Sequence, residues 1–465
     1  MANEINDYLV RETGRIAPDI NQKMKAKMTP WLSLFAREAW QEGMGVTGKT
    51  FVWDRVQLKE AAKDWANMSD APDVANGGSC VPPADEVIFT QQNREYNLQQ
   101  KAIWGPRICV NNLRYTFMRN EQINATIKAL ADQARETWIT RYRSEYTRIA
   151  GNKALANSSF ALNNDGYNSF EFPSPGGSPA VSVLTSGLLD MCYEYLNHQG
   201  AQEGSLGMAE TLPVYGLITS ARNSRNVIRE NAKIREDFRY SKENEKLLGP
   251  LGIKLQYNGF SHLIDDKLPR WNWQAATAAT GAVTGSGATR TLTLSASSAL
   301  TVGSLVYIST NMYIVTVVTS GTVYTVVSET LEAPTNITAT VYSAWVSVPE
   351  YVISSGVEIP NPAWLQAGYE DVYIFHQKAA TCLIPKPITA VGGAKFDPVN
   401  YAGEFSWKNY TDELLNPDGT IGRFRGVLSS GTRADNPEYA IVMRVKSCPN
   451  AFGLITDCTT LGSPA

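Results

Sequence analysis

Apolar side chains recur at helical spacing between residues 120 and 150. Ile123, Ile127, Leu130, Ala134, Trp138, Tyr142 and Ile149 share one stripe. Asn120 is a suitable cap, Glu121 sits in the positive first turn, Arg148 in the negative last turn, and Gly151 ends the run. At about 1.5 Å per residue the predicted helix is a rod on the order of 45 Å long, more than most globular helices reach. One long rod with a single apolar stripe suits the backbone of something broad and thin.

The segments before it have other textures. Residues 1–28 read as a mobile, mixed-charge arm that ends in Lys23, Lys25 and Lys27. Thr29 as cap, Pro30 in the first turn and Gly43 as stop predict a helix. Its apolar residues Trp31, Leu34, Phe35 and Trp40 form no clean stripe, so burial under another element or between subunits is expected. Extended runs then follow at 50–53, 87–90 and 96–113, the last with Ile103, Trp104, Ile108 and Val110. With the polar, Gly/Pro-bearing stretch 69–85 between them, they read as two long strand arms.

Beyond a Pro/Gly-rich break at 172–179 the pattern alternates between helix and strand. A helix at 184–198 is stopped by Gly200, a buried strand covers 212–219, and Ser220 caps a helix running to about residue 231. Arg222, Arg225 and Arg229 share a face of that helix. They could grip phosphate, but Glu230, Glu236 and Asp237 follow closely, which favours an ion-pair face that is solvated or bridges subunits. Between 273 and 345 charge collapses to Arg290, Glu329 and Glu332, and Thr, Val, Ala, Ser and Gly dominate. A flexible lead-in at 274–288 and short strands at 291–295, 305–309, 312–318, 323–327 and 339–346 are predicted, with turns at 310–311 and 320–321. Strand texture returns at 369–384, up to Pro385, and again at 405–446 around the turn Asn416-Pro417-Asp418-Gly419. The last fifteen or so residues are small and polar, as in a frayed tail.

Composition narrows the functional classes. The chain has 465 residues, 43% hydrophobic and 19% charged, enough for two or three folded units. A formal net charge of −3 provides no broad positive field, which disfavours nucleic-acid binding as the main role. The amino terminus carries no run of signal-peptide length and no stretch matches a membrane span, so synthesis in the cytoplasm without export by the usual route is expected. The six cysteines (Cys80, Cys109, Cys192, Cys382, Cys448, Cys458) are scattered singly, which fits reduced, mostly buried thiols better than a metal or redox site. His198, His262 and His376 form no HExxH or HxxxH arrangement, and there is no GxSxG elbow. No catalytic, cofactor-binding or metal-ligating residue is therefore assigned.

One motif fits in letters only. Gly43-Met44-Gly45-Val46-Thr47-Gly48-Lys49-Thr50 matches the phosphate-loop pattern GxxxxGK[ST]. That chemistry needs a strand before the loop and a helix after it, whose amino terminus holds the phosphates. Here the predicted order is reversed, and nucleotide binding is not expected.

The order of elements resembles the tailed-bacteriophage major capsid protein of the Hong Kong 97 type. TPWLSLFAREAWQEGMGVTGKTFVWDRV (29–56) is similar to the passage from arm to extended loop, and RNEQINATIKALADQARETWITRYRSEYTRIAG (119–151) to the spine helix. TLPVYGLITSARNSRNVIRE (211–230) and AGYEDVYIFHQKAATCLIPKP (367–387) resemble the axial domain. FSWKNYTDELLNPDGTIGRFRGVLSSGTRADNPEYAIVMRV (405–445) resembles the returning peripheral strands. The likeness covers most of the chain, in texture and order rather than in any short motif.

The resemblance implies an α+β fold with these parts: amino-terminal arm 1–45, extended loop 46–112, and a peripheral domain 113–177 with spine helix 120–150. Axial domain 178–273 and 346–395, peripheral strands 396–450 and a tail 451–465 complete it. The β-rich stretch 274–345 departs from the minimal fold and reads as an insertion domain. Ile123, Ile127, Leu130, Ala134, Trp138 and Tyr142 would be the spine-helix core; Arg222, Arg225 and Arg229 would make ion pairs between subunits. The function implied is structural: self-assembly, through hexamers and pentamers, into an icosahedral shell around packaged double-stranded DNA, touched weakly and without sequence preference. With no fused acidic helical segment, a separate scaffolding protein is implied, together with portal and decoration partners, no membrane and no cofactor. A β-rich phage tail or adhesion component is the alternative, and an α+β enzyme a weaker one.

Overall fold

The computed structural model describes residues 19, 31, 35–38, 49–53, 91–105, 108–109, 116–156, 179, 181–199, 208–209, 212–230, 253–257, 259–265, 267–277, 280–308, 311–328, 336–339, 342–383, 389–390, 404–409 and 421–447. The fold is mixed α/β with one large sheet. The chain divides into two units: 1–21, 37–133 and 382–434 form the first, and 22–36, 134–381 and 435–465 the second. The long helix, Thr116–Ile149, contributes its first half to one and its second half to the other.

In the first unit the 14-residue strand Ile421–Ala434 is the organising element. It pairs antiparallel with Asn97–Trp104 over eight positions, from Thr432↔Asn97 to Arg425↔Trp104, and its start pairs with Ile108–Cys109. Glu404–Asn409 pairs with it as well. Lys49–Trp53 forms an antiparallel hairpin with Gln91–Glu95. A strand, not a helix, therefore follows the phosphate-loop-like motif, whose chemistry lacks its helix amino terminus. The run at 87–90, the turn at 416–419 and the tail 451–465 lie outside the described residues.

In the second unit the central strand is Tyr369–Phe375, buried along nearly all its length. Ala440–Lys446 covers one edge in full. The other edge is shared: Tyr215–Thr219 occupies the end at residues 373–375, and Arg270–Thr277 the start, through Arg270↔Glu370 and Trp271↔Tyr369. Asn152–Leu155, next after the long helix, runs parallel to Ala440–Lys446. The helix Ser186–His198, capped by Thr185, packs by Tyr193 onto Tyr215 and Phe260.

From Arg270–Thr277 the sheet continues through Tyr342–Val348, Leu305–Ile308, Asn311–Val318, Val323–Ser328, Thr289–Leu294, Gly281–Thr284 and Ile337–Ala339. These strands alternate inward apolar and outward polar residues. They enclose a cluster of their own that includes Leu292, Val306, Tyr313, Val326 and Ala344. The turn between Asn311–Val318 and Val323–Ser328 spans 319–322, where the amides of Thr319 and Ser320 both reach the Val323 carbonyl at 3.0 Å.

Two expectations need correction. The helix predicted from Thr29 to Gly43 does not run its full length: Trp31 is helical, but Ala36–Glu38 is a strand of a seven-stranded sheet, and Trp31 and Phe35 are buried by partners distant in sequence. A good cap and proline start are weak priors that tertiary packing overrides. The lead-in expected to be flexible is largely strand, because Gly281–Thr284 pairs on both edges and Val283 points into the cluster. One element was not anticipated. Tyr351–Ser354 and Val357–Pro360 form a separate hairpin, whose turn puts Ser355 at φ 51° and Gly356 at φ 76°, the pairing that suits a tight two-residue hairpin turn.

Candidate functional site: the long helix and the strand root

Along the first half of the helix Ile123, Ile127 and Leu130 are buried, and along the second Ala134, Trp138 and Tyr142. Within the first unit, the Gln133 side-chain oxygen accepts from the Trp104 amide at 3.0 Å, and the Gly105 amide donates to Phe424 O at 2.8 Å. Residue 105 approaches the helix closely: a Cβ there would lie 3.2 Å from Thr126 Cγ2.

Within the second unit the helix ends in an aromatic stack. Trp138 stacks on Tyr142 with centroids 5.9 Å apart, and Phe35 packs against Tyr142 and Tyr146 at 5.4 and 5.7 Å. Tyr146 meets Tyr373 and Phe375 edge-on, and its hydroxyl donates to the Ile374 carbonyl at 3.3 Å. Trp31 meets Tyr373 edge-on while its Nε1 donates to Asp265 Oδ2 at 2.6 Å. Burial pushes the Tyr146 and Tyr373 phenols well above their ordinary values, so both act as neutral, hydrogen-bonded packing groups. Half-exposed Lys267 bridges Glu136 of the helix (3.2 Å) and Glu350 (3.3 Å). Burial opposes the charge on Glu136, but Arg135 and Lys267 outweigh it and hold the carboxyl below its usual range.

The second cluster lies where Arg270–Thr277 leaves the central strand. Arg444 and Asp371 face each other across paired strands. Arg444 Nε donates to Asp371 Oδ1 at 2.8 Å and its Nη2 to Oδ2 at 3.2 Å, both side chains being buried. The guanidinium lies 4.0 Å from the Trp271 ring centroid and 4.6 Å from that of Trp345. Trp271 Nε1 donates to the same carboxylate at 2.8 Å. Next to it Arg270 stacks on Trp364 at 3.8 Å, donates to the Trp364 carbonyl at 3.0 Å, and sits 4.0 Å from Glu370 Oε2. Glu370 Oε1 also accepts from Ser220 Oγ and Asn223 Nδ2. The Asn223 amide donates back to Ser220 Oγ at 3.3 Å, so Ser220 both caps the helix Ala221–Glu230 and anchors it to the sheet.

Arg222 of that helix donates to Ser447 Oγ at 3.0 Å; the side chains of Arg225 and Arg229 lie outside the described residues. His262 is buried, and burial alone lowers its pKa to about 4. His376 is buried with Nδ1 accepting from the Lys378 amide at 3.0 Å, while His198 is exposed. Cys192 and Cys382 are buried free thiols, and burial raises the Cys192 pKa. Among the described residues no group of three or more His, Cys, Asp or Glu could hold a metal ion, and no helix is long and apolar enough to cross a membrane.

Sequence reasoning missed Tyr146 and the whole Arg444 cluster. Tyr146 follows Tyr142 by four residues and extends the stripe. Glu370, Asp371 and Arg444 are charges set inside otherwise apolar strands, a pattern that by itself requires partners.

No protein-family model and no curated protein matches the chain. Among solved structures it is similar to the capsid of Ralstonia phage GP4, at 9% identity and a TM-score of 0.38, over 89% of this chain and 87% of that one. It is also similar to the cyanophage Pam1 capsid asymmetric unit, at 8% identity and a TM-score of 0.39, over 90% and 93%. The head structure of Helicobacter pylori bacteriophage KHP40 is similar at 9% identity and a TM-score of 0.34, over 90% of each chain.

Proposed function

We propose that this chain is the major capsid protein of a tailed bacteriophage, with a Hong Kong 97-type fold. It builds the icosahedral shell around double-stranded DNA and resides in the virion. The observation that carries the reading is that consecutive returning strands pair with the strands that precede and follow the long helix in sequence. Ile421–Ala434 pairs with Asn97–Trp104, before the helix, and Ala440–Lys446 runs parallel to Asn152–Leu155, after it. The strand before the helix and the strand after it thus each join a strand of the same returning segment.

In this reading Lys49–Trp53 and Gln91–Glu95 belong to the extended loop, the helix is the spine, and the strands around Tyr369–Phe375 form the axial domain. The strands from Gly281–Thr284 to Ile337–Ala339 form an insertion domain facing the shell exterior, since an inward domain would occupy space needed by DNA. Arg222, Arg225 and Arg229 contribute ion pairs between subunits. Many moderate interfaces summed over a closed shell give high stability without one strong contact. A net charge of −3 suits a lining that must not hold DNA tightly. A scaffolding protein, a portal and decoration proteins are the expected partners, and the role is structural rather than catalytic.

Negative-stain electron microscopy of the purified protein, with and without a co-expressed scaffold, tests this. Closed shells or hexameric and pentameric rings are expected. Fibres alone would favour a tail or adhesion component, and compact monomers under both conditions would overturn the proposal.

A further inference from the structure

We propose that the buried Arg444–Asp371 pair, clamped between Trp271 and Trp345, is an orientation lock that fixes the inserted strands to the central sheet as one rigid body. The inference goes beyond the capsid role and rests only on the insertion-domain reading. Arg270–Thr277 is the strand that leads into the insert, yet it touches the central strand through just two ladder pairs, Arg270↔Glu370 and Trp271↔Tyr369. Its other edge pairs with Tyr342–Val348, itself the strand that leads out, and that strand takes up Leu305–Ile308 only from Trp345 to Tyr342, so among the described residues the ladder narrows to two strands at Asn272↔Val346. A sheet that narrows to such a two-stranded neck has little there to resist twisting.

The side chains supply what the ladder lacks. Arg444 projects from a strand of the central sheet, and its guanidinium lies against Trp271 of the ingoing strand and Trp345 of the outgoing one. Asp371, on the central strand, binds Arg444 through both carboxylate oxygens and takes the Trp271 indole N–H as well. Trp345 in turn meets Trp273 at 4.8 Å and Tyr369 at 4.9 Å, edge-on in the latter case. Both neck strands are thus held through directional contacts to one guanidinium–carboxylate pair. Apolar packing tolerates sliding and rotation. A planar ion pair under two indole faces tolerates neither, because displacement leaves buried charge uncompensated. Such a pair adds little net stability over apolar residues of similar volume, so its use here is geometric.

The test is hydrogen exchange by mass spectrometry on the full-length, unassembled subunit. The double variant Arg444→Met with Asp371→Leu removes both charges together, and Trp271→Phe removes only the indole donor and part of the cation–ring contact. In the double variant the neck segments 270–277 and 342–348 should exchange roughly tenfold faster, with a smaller increase in Trp271→Phe. Segments of the insert core (304–308, 323–328) and of the central sheet (369–375, 440–446) should hold their rates. Unchanged neck exchange in either folded variant would overturn the proposal. So would a uniform acceleration of all segments, which would mark the pair as a general stabiliser. Should the double variant not fold, Trp271→Phe decides alone. The measurement needs no assembly, so failure of the wild-type protein to form shells would refute the capsid reading and leave this one standing.

Discussion

Trp138→Ala probes the buried face of the long helix at its largest side chain. Trp138 is 1% exposed and stacks on Tyr142 at 18°. A buried Trp removes about 150–250 Å² from water, which at about 25 cal/mol per Å² is on the order of 4–6 kcal/mol. Ala keeps the Cβ but leaves a cavity, so the expected cost is about 3–5 kcal/mol. The indole Nε1 is buried without a hydrogen-bond partner among the described residues, a standing cost of about 1–3 kcal/mol. Trp138→Phe deletes that donor along with some ring area. The two changes oppose each other, and the net effect should stay within about 1 kcal/mol. Urea unfolding of the unassembled subunit, followed by circular dichroism, reads both variants. An unchanged midpoint for Trp138→Ala would show that this face is not a core. Equal losses in Phe and Ala would show that the indole N–H is satisfied after all.

Three further outcomes are expected. Gly216→Ala would place a Cβ 2.1 Å from Phe375 Cζ in the middle of the central sheet, so a loss of about 1–3 kcal/mol is expected in the same unfolding assay, relieved in part by adding Phe375→Leu. The His262 pKa falls from an ordinary 6.5 to about 4 on folding, so the unfolded chain binds the extra proton first as pH drops; stability should fall by about 3 kcal/mol between pH 6.5 and 4, and His262→Leu should flatten that part of the pH profile. Replacing residues 275–344 with a short Gly/Ser linker should leave soluble, cooperatively folded subunits, because those strands enclose their own cluster; complete loss of folded protein would place them in the main core.

Much of the architecture was legible because it rests on local pattern. The helix stripe from Ile123 to Tyr142 has a clear period and ends at Gly151, so its existence and buried face follow from the sequence. Its start at Thr116 does not, since residues 116–119 precede the cap that Asn120 suggested. Short strands joined by tight turns were likewise readable, and Ser220 announced its helix. What stayed hidden depends on long-range pairing. Arg270, Glu370, Asp371 and Arg444 meet across separations of 73 residues or more, and a single sequence gives no register for that. Ser355-Gly356 between alternating apolar residues is a hairpin signal of ordinary strength, in a stretch between 346 and 368 to which the pattern reading assigns no element.

The orientation lock proposed above would account for the distribution of charge along the chain. The strands from Gly281–Thr284 to Ile337–Ala339 carry almost no charged side chains, whereas Arg270, Glu370, Asp371 and Arg444 are buried where that stretch joins the central strand. Apolar and hydroxyl side chains suffice to build a small β core, and they are indifferent to its direction. Direction matters if many copies are to meet identically. A neck left loose would have to be ordered at each contact, at about 1–2 kcal/mol per residue of backbone freedom. Fixing it during folding moves that cost out of association, which is how preorganised surfaces gain affinity. Under that proposal charge sits at the root and not in the body because the buried ions there would set geometry at little net gain in stability, and geometry is what a repeated contact would require.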